Sequence, residues 1–127
     1  MGRKILVVDD ELDVQDLFLQ RFRKEIKSGS YEFTFATSGE EALKILHNLP
    51  SEAILILSDI NMPGMSGLEL LSRIKKENPL PPPVVMMITA YGDPETKQKA
   101  QNLGADGFLN KPIDFPSLKE KLSNLAL

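Results

Sequence analysis

Ala53-Ile54-Leu55-Ile56-Leu57 is apolar at every position and leads directly into Ser58-Asp59. A strand with one covered face alternates apolar and polar residues, so an unbroken apolar run predicts a strand that is buried on both faces. Ile5-Leu6-Val7-Val8 and Val84-Val85-Met86-Met87-Ile88 repeat this pattern. The three runs therefore predict the centre of a parallel sheet with helices on both sides.

Weaker patterns predict two more strands. Tyr31-Glu32-Phe33-Thr34-Phe35 alternates aromatic and polar residues, which is typical of a strand with a wetter face at the edge of a sheet. Gly107-Phe108-Leu109 is a short fifth candidate. We therefore expect five strands.

The segments between the strands carry helix signals. Apolar residues recur at helical spacing from Leu12 to Lys27, which predicts one long helix. Two serine–glutamate pairs have the spacing of a capping box at a helix start, Ser38 with Glu41 and Ser66 with Glu69. Two aspartates are further candidate N-caps, Asp93 and Asp114. Alternation of five strands with five helices predicts a doubly wound parallel α/β sheet with right-handed crossovers.

Length and composition restrict the function. With 127 residues, the chain is predicted to form one domain, residues 1–127. A formal net charge of −3 without a basic cluster argues against direct nucleic-acid binding. No apolar run approaches the roughly 20 residues that span a bilayer. The absence of cysteine suits a reducing cytoplasm. We expect a cytoplasmic domain that binds neither nucleic acid nor membrane.

Polar residues follow four of the predicted strands. Asp9-Asp10-Glu11 follows the first, Asp59 the third, Thr89 the fourth and Asn110-Lys111 the fifth. In open parallel sheets, ligands bind just beyond the carboxyl ends of the strands. Carboxylate oxygens without Cys or a suitable His favour Mg²⁺ or Ca²⁺ over zinc, and a site that keeps open water positions suits Mg²⁺. A lysine beside them suits a phosphate oxygen, so the set predicts phosphoryl transfer to a carboxylate.

Four motifs together carry a family resemblance. They are Asp9-Asp10 after a buried strand, residues 59–67 (Asp-Ile-Asn-Met-Pro-Gly-Met-Ser-Gly) after another, Thr89-Ala90, and Lys111-Pro112. In this order and spacing the chain closely resembles the receiver domains of bacterial two-component response regulators over essentially its whole length. The resemblance implies a flavodoxin-like strand order 2-1-3-4-5 and a cis Lys111–Pro112 bond. Ser66 stands where many members have Asp, and either residue caps a helix equally well.

The resemblance also implies roles for the site residues. Asp59 is the expected phosphoacceptor, and Lys111 pairs with the phosphoryl group. Mg²⁺ is the expected cofactor, held by Asp10 directly, by Asp9 through water, by Asp59 and by the backbone carbonyl of Asn61.

Thr89 and Phe108 are the expected switch pair, although plain core packing is the alternative for Phe108. Thr89 also assists the phosphoryl transfer with its hydroxyl. Asn61 and Tyr91 are expected to tune the lifetime of the phosphoryl group. The conformational change is expected on the face that contains the fourth helix, the fifth strand and the fifth helix as counted in the sequence.

The partner implied by the resemblance is a histidine kinase or a histidine phosphotransfer protein. Its expected docking surface is the first two turns of the long helix (Leu12 to Phe22), with Asp13 and Gln15 among the candidate contacts. An output domain or partner protein would use the switch face. Because the product is a modified protein, the domain is not expected to be an enzyme in the usual sense.

Two alternatives share this predicted fold, a small Mg²⁺-dependent phosphatase and a flavodoxin-like cofactor domain. A flavin phosphate needs a Ser/Thr/Gly-rich loop after the first strand, where this chain has the acidic residues 9–11. A phosphatase with an aspartyl intermediate usually needs a second acid two residues after its nucleophile, where this chain has Asn61. Colour and turnover of a generic phosphomonoester distinguish the three functions.

Overall fold

Strands and helices alternate in the computed structural model, which describes residues 3–48, 54–77, 83–90 and 94–124. The strands are β1 (Arg3–Val8), β2 (Tyr31–Ala36), β3 (Ile54–Asp59), β4 (Val84–Thr89) and β5 (Gly107–Asn110). The helices are α1 (Leu12–Arg21), α2 (Arg23–Ser28), α3 (Gly39–Asn48), α4 (Gly67–Glu77), α5 (Pro94–Asn102) and α6 (Phe115–Asn124). Among these helices, none has the length and apolar character needed to cross a bilayer.

The strands form one parallel sheet in the order β2-β1-β3-β4-β5. This order confirms the predicted fold and places β2 at an edge, where its alternating sequence had put it. The register pairs Val8 with Ser58 and Asp59 with Ile88, so the carboxyl ends of the central strands are nearly level. The residues that follow β1 and end β3 therefore meet at one edge of the sheet.

The prediction of one helix from Leu12 to Lys27 was wrong, and the structure has six helices in its described residues instead of five. The helix is interrupted at Phe22, whose backbone has φ −104° and ψ 20°. Phe22 is fully buried, and its ring centroid lies 4.9 Å from that of Phe33 and 5.9 Å from that of Phe18. Tertiary packing of this ring overrides the helical periodicity of the sequence.

The core has two layers, one on each face of the sheet. One layer packs strand residues such as Leu6 and Ile56 against α3, α4 and α5. The other packs Ile5 and Leu55 against α1 and α6, with Phe18 at its centre. Successive residues of β1 and β3 thus face opposite layers, which explains why these strands are apolar at every position.

Three predicted helix caps are present. The backbone N–H of Glu41 donates to Ser38 Oγ at 3.1 Å, and that of Glu69 donates to Ser66 Oγ at 3.2 Å. At the last helix, Ser117 N donates to Asp114 Oδ1 at 3.3 Å. Each cap satisfies a helix N–H that has no partner within the helix. The predicted cap Asp93 lies outside the described residues.

Candidate functional site

Three carboxylates converge at the carboxyl end of the sheet. Asp9 directly follows β1 and Asp59 ends β3, and both are buried, with 2% and 4% of their surfaces exposed. Asp10 lies beside them and is exposed. One oxygen from each of the three lies within 4.8 Å of the others. The adjacency of β1 and β3 brings these residues together, as we had expected from the sequence.

Lys111 reaches this cluster from the loop after β5. Its Nζ lies 3.1 Å from Asp59 Oδ2, to which it donates a hydrogen bond, and 3.1 Å from Asp9 Oδ2. The backbone N–H of Lys111 donates to the carbonyl of Thr89 at 2.9 Å, which fixes the start of the loop to the end of β4. The Lys111–Pro112 peptide bond is cis, as the resemblance implied. One ammonium group therefore contacts two of the three carboxylates.

Burial and charge shift the two principal pKa values of the site. Burial raises the pKa of Asp59 above its ordinary value, and the charge of Asp9 adds to this effect, while the hydrogen bond from Lys111 only partly offsets it. Burial lowers the pKa of Lys111, but its hydrogen bond to Asp59 and the negative charges of Asp59 and Asp9 outweigh this, so the net shift is upward. The lysine is thus held charged, and Lys111 offsets only part of the effect of burial and of the Asp9 charge on Asp59.

The residues present fit a divalent cation. Asp9 Oδ1 accepts a hydrogen bond from the backbone N–H of Glu11 at 2.9 Å. The buried Asp9 Oδ2 has Lys111 as an ion-pair partner at 3.1 Å, but no donor within the described residues meets it with hydrogen-bond geometry. Asp9 Oδ2 accepts no hydrogen bond from the described residues and lies beside two further carboxylates, so it can serve as a metal ligand. All donors are hard oxygens, which is the donor set of Mg²⁺ and not of zinc.

Asn61 begins the exposed loop beyond Asp59. Its backbone N–H donates to Asp59 Oδ1 at 3.4 Å, which is long for a hydrogen bond. The Asn61 side chain is exposed, so the residue is free to face incoming molecules. Tyr91, the other residue predicted to tune the lifetime, lies outside the described residues.

Thr89 and Phe108 lie on neighbouring strands. Thr89 ends β4 and is buried, and Phe108 is half-buried in β5, where it pairs with Met87. Since Met87 and Thr89 are two residues apart in a strand, they share a face of the sheet. Phe108 packs against the core layer that contains Met87, so it is a diagonal neighbour of Thr89 on that face.

Two lysines from different helices contact Phe108. The Nζ of Lys97, in α5, lies 5.9 Å from the centroid of the Phe108 ring. The Nζ of Lys121, in α6, donates to the Phe108 backbone carbonyl at 3.3 Å. Phe108 therefore contacts α5 through its ring and α6 through its backbone, and it lies on the face that the sequence assigned to the switch. In the observed helix numbering this is the α5-β5-α6 face.

Two residues next to Asp59 were missed by the sequence analysis. Ser58 is buried, and its hydroxyl donates to the backbone carbonyl of Asp59 at 3.1 Å. Gly67, the first residue of α4, lies so close to this carbonyl that an added Cβ would collide with it. Two signals for Gly67 were available: it ends the motif of residues 59–67, and a glycine at the first helical position is an unfavourable choice for the helix.

The expected docking helix borders an open groove. The groove lies between α1 and the loop after β5, has a volume of about 360 Å³, and is lined by Val14, Leu17, Pro112 and Ile113 among others. Leu17 is 42% exposed. Apolar surface of this kind beside a polar site is typical of a protein interface. On the same helix, Asp13 is exposed and Gln15 is half-buried.

Comparison with known proteins places these observations in a family. The sequence model of the response regulator receiver domain matches residues 5–123. Sporulation initiation phosphotransferase F of Bacillus subtilis is 34% identical over 122 residues, covering 94% of this chain and 90% of that protein. A cyclic di-GMP phosphodiesterase of Thermotoga maritima is 32% identical over 120 residues, which cover 94% of this chain but 30% of that protein. The chain spans 50% of the response regulator RppA of Synechocystis, so several relatives are much longer.

Solved structures share the fold over nearly the whole chain. The chemotaxis response regulator CheY4 of Vibrio cholerae superposes with a TM-score of 0.82 at 29% identity, covering 97% of this chain and 98% of that one. The response regulator TrrA of Thermotoga maritima, solved with Mg²⁺ and BeF, has a TM-score of 0.77 at 34% identity, covering 95% of this chain and 96% of that one.

Proposed function

This chain belongs to the response regulator receiver domain family, whose members act as phosphorylation-dependent switches in two-component signalling, and we propose that Asp59 is its phosphoacceptor. The observation that carries the proposal is the 3.1 Å contact of the buried Asp59 carboxylate with Lys111, beside Asp9 and Asp10. A phosphoryl group arriving at Asp59 would meet a cation already in position, with acidic residues available for a metal.

The carboxylates of Asp9, Asp10 and Asp59, with the backbone carbonyl of Asn61, would hold Mg²⁺. When bound, the ion supplies neutralising charge for the carboxylates and for phosphoryl oxygens. That the relative TrrA was solved with Mg²⁺ and BeF supports this assignment. Asp9 Oδ2, which accepts no hydrogen bond from the described residues, supports the Mg²⁺ assignment independently.

The chain's own residues would perform the transfer as follows. A carboxylate oxygen of Asp59 attacks the phosphorus of a phosphohistidine, an O–P bond forms, and the P–N bond breaks, leaving the imidazole as the leaving group. Lys111 neutralises a phosphoryl oxygen, and the Thr89 hydroxyl donates to another. The product is a modified protein and not a released compound, so the domain is not an enzyme in the usual sense.

Thr89 would also transmit the signal. A hydrogen bond from its hydroxyl to the phosphoryl group would draw the start of the following loop inward, leaving space into which Phe108 can rotate. Phe lacks the hydroxyl of Tyr, so its inward state needs no hydrogen-bond partner. The change would then be read on the α5-β5-α6 face by an output domain or a partner protein.

The phosphodonor would be a histidine kinase or a histidine phosphotransfer protein that docks on α1. The exposed Leu17, the adjacent apolar groove and the exposed Asp13 support this surface. The net charge of −3 supports a role without direct contact to nucleic acid or membrane, in the cytoplasm. Neither alternative function gains support, because acidic residues occupy the place of a flavin phosphate loop and Asn61 cannot act as a general acid.

The assignment of the acceptor is tested with acetyl phosphate and Mg²⁺. We expect the intact mass of the protein to increase by one phosphoryl group, and Asp59→Asn to abolish the increase because an amide is a poor nucleophile. Asp16→Asn, a change of an exposed aspartate on α1, is the matched control and should be labelled normally. Undiminished labelling of Asp59→Asn would show that the acceptor is elsewhere.

Asn61 and Tyr91 would set the lifetime of the phosphoryl group, because water must approach the phosphorus in line with the Asp59 oxygen. Asn61 can hold a water through its amide but cannot remove its proton, so we expect an intermediate lifetime. Tyr91→Ala should shorten the lifetime if the ring shields the phosphorus and lengthen it if the hydroxyl orders water. After removal of excess donor, loss of the added mass with time measures the effect. An unchanged half-life would exclude a role for Tyr91.

A further inference from the structure

Hydrogen bonds hold the backbone of Asp59 and Ile60. The N–H of Ile60 donates to the carbonyl of Ile88 at 3.1 Å, and the carbonyl of Ile60 accepts from the N–H of Gly67 at 2.8 Å. The carbonyl of Asp59 accepts from the hydroxyl of Ser58 at 3.1 Å. These three backbone groups at and after Asp59 are thus engaged within the domain.

Gly67 packs directly against the backbone of Asp59 and Ile60. A Cβ at this position would collide with the carbonyl oxygen of Asp59 and would lie 2.7 Å from Ile60 Cα. Both atoms are backbone, so neither can move aside as a flexible side chain would. The glycine is buried and has no positive φ. It is therefore required here by close approach and not by its own conformation.

Ser58 is an unusual residue for its place in the sheet. It pairs with Val8 on one side and Met87 on the other, and both belong to the apolar layer beneath α3, α4 and α5. Ser58 itself is 1% exposed. A buried hydroxyl costs free energy unless it is hydrogen-bonded, and the bond that it makes is to the acceptor's carbonyl.

We propose that Ser58 and Gly67 are positioning residues for phosphoryl transfer, which fix the peptide after Asp59 and thereby aim its carboxylate. The inference rests on the proposed role of Asp59 as acceptor. The orientation of this peptide sets the direction of the Asp59 side chain relative to Lys111. It also sets the position of Asn61, whose N–H contacts Asp59 Oδ1 and whose carbonyl is a proposed metal ligand. A shift of the peptide would displace both at once.

Small displacements at a reacting centre have large effects, because misplacement by about 1 Å can slow a reaction by about 100-fold. Gly67→Ala should push α4 and the acceptor apart and slow labelling by acetyl phosphate by at least about 10-fold. Ser58→Ala removes one hydrogen bond and leaves the packing nearly intact, so we expect a smaller loss, about 3-fold to 10-fold.

Gly29→Ala is the matched control for a general loss of stability. Gly29 has φ +81°, and an added Cβ would meet nothing within 4 Å, so this substitution strains the backbone without touching the site. Initial labelling rates and melting temperatures are measured for the unmutated protein and the three variants at saturating Mg²⁺. Mg²⁺ affinity is measured separately, by titration of amide chemical shifts without a phosphodonor.

The proposal predicts slow labelling of Gly67→Ala and Ser58→Ala, with weaker Mg²⁺ binding, and a rate for Gly29→Ala within about 2-fold of the unmutated protein. Equal rates for Gly67→Ala and Gly29→Ala at similar melting temperatures would overturn it, as would an unmutated rate for Ser58→Ala. If Gly67→Ala fails to fold, Ser58→Ala decides alone. Absence of labelling in the unmutated protein would instead refute the proposed function, and this inference with it.

Discussion

At the residue scale, the site is dominated by three clustered carboxylates, two of which contact the ammonium group of Lys111. Burial and the charge of Asp9 raise the pKa of Asp59 despite its hydrogen bond from Lys111. The folded protein therefore holds a proton on Asp59 more tightly than the unfolded chain does. This contribution to stability is present below the unfolded-state pKa and is lost as the pH rises through the folded-state pKa. At neutral pH the ionised Asp59 thus destabilises the fold.

Because ionised Asp59 destabilises the fold at neutral pH, removing its charge should stabilise the protein. Asp59→Asn should raise the free energy of unfolding by about 1 kcal/mol at pH 7 without Mg²⁺, or the melting temperature by about 4 °C, because the amide is neutral. The difference should shrink as the pH falls through the raised pKa of Asp59, since the unmutated carboxylate is then protonated. Scanning calorimetry is the suitable measurement, because the chain has no tryptophan.

Added Mg²⁺ provides an internal control for this prediction. It should stabilise the unmutated protein by relieving the same repulsion, and stabilise Asp59→Asn much less because a ligand is lost. Asp16→Asn removes an exposed carboxylate from α1 and should alter neither quantity. A natively folded Asp59→Asn that melts below the unmutated protein without metal would contradict the repulsion argument.

At the scale of secondary-structure elements, α5 and β5 are coupled through Lys97 and Phe108. The ammonium group lies 5.9 Å from the ring centroid, a distance at which a cation–π contact at a partly exposed site contributes about 0.5–1 kcal/mol. This contact stabilises the present orientation of the ring. Under the proposed switch, Phe108 must leave this orientation, so Lys97 opposes activation.

Removing the ammonium group should therefore favour the activated state. Lys97→Gln should strengthen binding of beryllofluoride with Mg²⁺ by about 2-fold to 5-fold, since a ligand binds more tightly when its preferred state is more populated. Lys99→Gln is the control, because Lys99 lies on the same helix and its carboxylate partner is Glu95, at 3.9 Å. Affinity is measured by titration of amide shifts. Equal beryllofluoride affinities of the two variants would show that Lys97 has no role in the switch.

At the scale of the whole molecule, the sequence predicted the sheet and the meeting of the site residues at one edge of it. Both can be predicted from the residues within and directly after each strand. A continuous apolar run requires cover on both faces, and parallel strands place their carboxyl ends, and hence Asp9 and Asp59, at one edge. The break at Phe22 and the roles proposed for Ser58 and Gly67 were not predictable in this way. The break at Phe22 and the close approach of Gly67 to Asp59 depend on how tightly one element packs against another, which no local pattern encodes. Ser58 bonds the next residue in the chain, but the apolar pattern of β3 does not reveal this bond.

The largest-scale prediction concerns transmission from the acceptor to the α5-β5-α6 face. Thr89 lies between them, because it ends β4, its carbonyl accepts from Lys111 N, and it shares a sheet face with the neighbours of Phe108. Phosphate can shift the population of the molecule only if it bonds differently in the two states, and the Thr89 hydroxyl is the group proposed to make that difference. Thr89→Ala should therefore still be labelled by acetyl phosphate.

The response of Thr89→Ala should nevertheless be blunted. Amide shift changes on beryllofluoride binding should be reduced by at least about half in residues 94–102 and 107–124, because the hydroxyl that draws the loop inward is absent. Thr89→Ser keeps the hydroxyl and should retain most of the response, which separates the hydrogen bond from the loss of the methyl group. Shift changes in Thr89→Ala that match those of the unmutated protein would show that the signal reaches the α5-β5-α6 face by another route.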